Sequence, residues 1–124
     1  MARLFISIAA TCGFLAVALG AFGAHALKQR LSADLMAVYQ TAVQYHFWHA
    51  LALLAVGVLL ANGINNRLIV ASGWLFTAGI VLFCGSLYPL SLTGLRWLGA
   101  ITPLGGALWL VAWACLAIGA WGAA

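Results

Sequence analysis

Residues 3–30 read RLFISIAATCGFLAVALGAFGAHALKQR: one arginine, an apolar run from Leu4 to Ala24, then the polar cluster Lys28, Gln29, Arg30. About 20 apolar residues are needed to cross a hydrocarbon core, and this run supplies them. Ala24-His25-Ala26 has the small-x-small form of a cleavage site, but a run of this length reads as a retained span over residues 3–26. The rest of the chain has the same character. Of 124 residues, 67% are hydrophobic and 5% charged, against about a quarter charged in a soluble domain. A water-soluble globular fold is excluded, and the lipid bilayer is the first partner. Five basic residues stand against one acid, Asp34. No basic stripe with interleaved aromatics accompanies them, so the charge reads as juxtamembrane and nucleic acid is set aside.

Downstream of the first span, Ser32 is a good N-cap and Asp34 complements the positive end of a helix dipole, so a helix starts near Ala33. No breaker follows until Asn62-Gly63, a length of about 43 Å at 1.5 Å per residue, more than one hydrocarbon core requires. The excess, residues 33–44, carries Gln40 and Gln44 together and reads as an interfacial amphipathic segment extending a second span over residues 45–61. After a polar turn with Gly63 as its cap, a third span covers residues 68–90 and is ended by Tyr88-Pro89. A fourth covers residues 98–121. Thr102-Pro103 breaks it near its start, with Thr102 as cap, Pro103 as first helical residue, and residues 95–101 as a separate short turn or re-entrant piece. The expectation is all-α: one polytopic membrane domain, four transmembrane helices in a compact bundle.

Ala9 and Gly13, then Ala16, Gly20 and Ala24, recur four apart on the first span. Small residues at this spacing let backbones approach, which replaces the missing hydrophobic drive between helices in lipid. Gly13, Gly20, Gly23 and Ala24, with Gly105 and Gly106 on the fourth span, are therefore expected at helix contacts. They also suit a homo-oligomer or a membrane-protein partner.

The polar residues inside this apolar chain are the candidates for function. His25 ends the first span, while His46 and His49 sit where the second helix enters the membrane from the same side, together with Tyr45, Tyr88 and Arg96. Three imidazoles on one side would suit a transition metal. No acidic ligand accompanies them, and hydrogen bonding to tyrosine or backbone accounts for buried histidines more simply, so neither a metal nor a cofactor is assigned. Cys12, Cys84 and Cys115 lie in apolar runs without C-x-x-C spacing and read as small hydrophobes. Arg96-Trp97 suits an interface, and the six tryptophans read as mostly lipid-facing or interfacial. A lone acid excludes a carboxylate pair and no serine has a nucleophile context, so catalytic residues are absent from the reading.

Gly13-Phe14, Val17 to His25, Tyr45 with His49 to Ala52, Gly85 to Tyr88, and Thr102 to Gly106 resemble, in order and spacing, the YgdD-like small inner-membrane proteins. That family, domain of unknown function 423, includes the eukaryotic transmembrane protein 256 homologues. The resemblance implies a four-span, multi-pass protein of the bacterial inner membrane with both termini inside, and brings no activity. His25 and His49 match its motif positions better than His46. The leading functional expectation is a non-enzymatic oligomer concerned with passage or sensing of a small solute or proton. A lipid- or partner-binding scaffold is the alternative, and a haem- or metal-binding subunit comes third.

Overall fold

The computed structural model describes residues 1–122, which form four long helices and no strand. Helix α1 covers Ala2–Phe22 and runs into a π turn, Gly23–Leu27. Helix α2 covers Ala33–Ala61, α3 Arg67–Thr93, and α4 Thr102–Gly122, with a short 3-10 helix, Arg96–Ala100, before α4. All four are long and apolar enough to cross a membrane. Contacts between helix backbones follow chain order, α1 on α2, α2 on α3 and α3 on α4. The inner pair, α2 and α3, is the more buried.

Local chemistry sets the ends. Ser32 Oγ accepts from Leu35 N–H at 3.2 Å, and Asn66 Oδ1 accepts from the amides of Leu68 and Ile69 at 3.0 and 3.1 Å. These caps satisfy donors that a helix start leaves unpaired. Gly63 (φ 84°) turns the chain out of α2 and Gly94 (φ 75°) out of α3, both left-handed conformations that only glycine adopts cheaply.

Close packing follows one rule, a large side chain set into a glycine notch on the next helix. A Cβ on Gly73 of α3 would lie 2.5 Å from the ring of Phe5 of α1, and one on Gly57 of α2 would lie 2.6 Å from Ile6. Tyr39 of α2 fills the notch at Gly23, with its hydroxyl donating to the Leu19 carbonyl. Trp109 of α4 fills the notch at Gly79. Backbones themselves meet at Gly105, where a Cβ would be 2.5 Å from Phe83 N. The pairs 79–109, 83–105, 86–102 and 69–119 all share one antiparallel register between α3 and α4. Likewise 6–57 and 20–43 share one between α1 and α2, and 23–39, at the π turn, is one residue off it.

Several expectations need correction. Pro89 does not end the third helix, which runs on to Thr93. Proline within a membrane helix is tolerated when hydroxyls and neighbours re-satisfy the backbone. Here the one donor lost is the N–H that would face the Gly85 carbonyl, and the helix continues past Pro89 to its end, where Gly94 N–H donates to the Leu90 carbonyl at 2.7 Å. Thr102 begins α4, but its hydroxyl pairs with Ser86 Oγ of α3 at 2.6 Å, tying two helices rather than capping one. Residues 33–44 are the first turns of one uninterrupted α2, with Tyr39 and Ala42 buried between helices. A Cβ at Gly13 or Gly106 would meet nothing within 4 Å, and Ala24 is exposed, so these three are not contact points within the chain. Gly20 is one, 3.2 Å from Val43 Cγ1 by the same construction.

Candidate functional site

His49 lies about 24 Å along α2 from Ala33 and, by the two registers, beside the middle turns of the other helices. It is 6% exposed. Its Nδ1 is 2.7 Å from the Tyr45 carbonyl, one turn earlier, and its Nε2 is 3.3 Å from the indole Nε1 of Trp113 on α4. A carbonyl only accepts and an indole N–H only donates, so the two partners together fix the neutral tautomer protonated at Nδ1. Both ring nitrogens are thereby satisfied. That is how an ionisable side chain is carried at this depth without an unpaired polar atom.

The imidazole face is matched as closely as its edge. His49 stacks on Trp109 with ring centroids 3.7 Å apart and planes within 4°. Trp109, 3% exposed, donates its own Nε1–H to the Phe76 carbonyl at 3.2 Å. Tyr45 stacks on Phe83 at 5.1 Å, and Trp113 sets its edge against Phe76 at 4.9 Å. Through these rings α2 meets α4, whose closest backbone neighbour is α3. The resulting gap is a groove of about 790 Å³, open along its side. Tyr45, Trp48, His49 and Leu51 line it from α2, Phe83 from α3, and Pro103, Gly106, Ala107, Trp109, Leu110 and Trp113 from α4. The walls are mostly apolar, and the His49–Trp113 pair is a hydrogen-bonded polar feature on them.

His46 is three residues away but has a different partner. Its Nδ1 is 2.9 Å from the Tyr88 hydroxyl of α3, and the Tyr88 ring stands edge-on to Tyr39 at 5.5 Å. The sequence-based candidates therefore divide. Tyr45 joins His49 at the groove, while His46 and Tyr88 form a separate pair between α2 and α3. His25 does not join them: it is exposed in the π turn, and the α1–α2 register sets it level with residue 38, about 16 Å along the axis from His49. Arg96 is exposed in the short 3-10 helix, away from either pair. Among the described residues no three His, Cys, Asp or Glu side chains gather as a ligand set.

Trp109 is buried, whereas Trp48, Trp74, Trp97 and Trp121 are exposed, as expected of most of the tryptophans. Trp109 and Trp113 are four apart, the spacing that puts two indoles on one helix face, and that spacing was the available signal.

A family model described as "Protein of unknown function (DUF423)" matches residues 19–106. The UPF0382 membrane protein YwdK of Bacillus subtilis (strain 168) is 46% identical over 120 residues, 95% of this chain and 96% of that protein. The UPF0382 membrane protein SSP2132 of Staphylococcus saprophyticus is 45% identical over 117 residues, 94% and 96% of the two chains. No solved structure matches. Four spanning helices together with near full-length similarity to bacterial membrane proteins lead to one conclusion: the chain is a multi-pass membrane protein and belongs to the DUF423 family.

Proposed function

We propose that this protein is a non-enzymatic receptor for a small, membrane-dissolved molecule, which enters the α2–α4 groove sideways from the lipid and is sensed at the His49–Trp113 pair. The observation that carries the reading is the opening of an apolar groove of about 790 Å³ beside an intramembrane histidine. Pockets that take small molecules are of this size, mostly apolar, with a few placed polar groups. Sensing is favoured over passage by the way the buried polar side chains pair locally. His46 bonds to Tyr88, Ser86 to Thr102 and Ser72 to the Ile69 carbonyl, with no bond joining one pair to the next. Assembly with further copies belongs to the same proposal, because Gly13 leaves the outer side of α1 open to close approach by another helix.

A neutral nitroxide-labelled alkyl ester, titrated into the protein in detergent, tests the reading. Trp48, Trp109 and Trp113 line the groove, so their fluorescence should be quenched saturably. Gly106→Phe fills the groove where a side chain meets nothing within 4 Å, and it should abolish the saturable phase while leaving helicity and melting unchanged. Quenching that never saturates, or that Gly106→Phe does not alter, would overturn it.

A further inference from the structure

We infer that the groove's occupant is one acyl chain of an anionic phospholipid whose phosphate is held at Arg96, an inference that rests on the groove being a binding site. Length is the first support. The groove lining on α4 extends from Pro103, the second residue of the helix, to Trp113 at mid-height. Ten residues of helix rise about 15 Å, half of a hydrocarbon core of roughly 30 Å. A site that starts at one membrane boundary and stops at the mid-plane has the length of a single leaflet's chain.

Charge is the second. The short helix Arg96–Ala100 lies across the end of the bundle at which the groove begins. It packs on both α3 and α4, and Leu98 joins the cluster of Ala42, Leu87 and Leu90. Leu98 thus anchors the segment while Arg96 and Trp97, just before it, remain exposed. A guanidinium with an adjacent indole at the boundary suits a phosphodiester, the arginine as bidentate donor and the tryptophan at headgroup depth. The chain's one acid, Asp34, lies in the first turn of α2. A free chain without a headgroup would use the groove but not Arg96; a headgroup without a chain would use Arg96 but not the groove. The two features lie at successive depths from one end of the bundle.

The test is lipid retention. Full-length protein in nanodiscs of equal phosphatidylglycerol and phosphatidylcholine is extracted into mild detergent, and the lipid left on it is counted by native mass spectrometry. The expected result is one retained phospholipid, with phosphatidylglycerol favoured by about fivefold, the gain one basic residue gives near an anionic lipid. Arg96→Gln should remove the preference but keep the retained lipid, Gly106→Phe should remove the lipid itself, and Lys28→Gln, at the same membrane side, should change neither. If wild type and Arg96→Gln retain both lipids equally, or if Lys28→Gln lowers the preference as much as Arg96→Gln, the anionic-headgroup inference fails while the groove reading stands. If Gly106→Phe retains as much lipid as wild type, the groove reading falls, and this inference with it.

Discussion

At the scale of single residues, the histidines follow from what each partner can donate or accept. Trp113→Phe keeps the ring but removes the only donor to His49 Nε2, and should cost about 0.5–1 kcal/mol, the range found for interhelical hydrogen bonds in membranes. In denaturation by increasing fractions of a harsh detergent, His49→Ala and Trp113→Phe should be non-additive, since the two share one bond. His25→Ala and His49→Ala should instead add to within about 0.5 kcal/mol, because the two residues are about 16 Å apart along the helix axis. Coupling well above that would mean that His25 reaches the groove. The sequence carries the need for a partner, because an ionisable group in lipid must have one. It does not carry the partner's identity. Tyr45 and Tyr88 stood among the candidates; the spacing of Trp109 and Trp113 marks one face of α4, but only the folded contact shows that this face meets His49.

For the helices, glycine decides which surfaces meet. Gly105 and Gly106 are adjacent in sequence, yet a Cβ at the first would press on the Phe83 backbone and one at the second would enter open space. Gly105→Ala should therefore lower stability by about 1–3 kcal/mol, the usual cost of overpacking. Gly106→Ala should be neutral or slightly stabilising, since alanine is the better helix former. Melting curves of the two variants in one detergent check both statements, and equal effects would mean that the α3–α4 contact is misplaced. Gly20→Ala should fall between them, since Val43 Cγ1 must give way by only a few tenths of an ångström. The four helices were legible in the sequence from apolar length, and the two ends of α2 from Ser32 and from Gly63. The facing sides were not. In water a helix shows its buried side by the polar residues on the other; in lipid both sides are apolar, so Phe14, which is exposed, and Phe5, which is fully buried, give the same signal. Pro89 shows the same limit for helix ends: a stop signal in water is tolerated inside a membrane helix, and α3 runs on to Thr93.

Across the whole molecule, the row α1–α2–α3–α4 leaves α2 and α4 separated by one layer of side chains, and that separation is the groove. A closed bundle with α4 seated directly on α2 would have no such site, so the account depends on the aromatic layer of Tyr45, His49, Trp109 and Trp113 holding the two helices apart. Residue-resolved nuclear magnetic resonance of the six indole N–H groups, recorded as the neutral alkyl ester is added to the protein in detergent, addresses this most directly. The account predicts saturable shifts at Trp48, Trp109 and Trp113, largest at Trp113, whose N–H bonds to His49, with Trp74, Trp97 and Trp121 unmoved. Shifts of similar size at all six, or shifts confined to Trp74, Trp97 and Trp121, would contradict it.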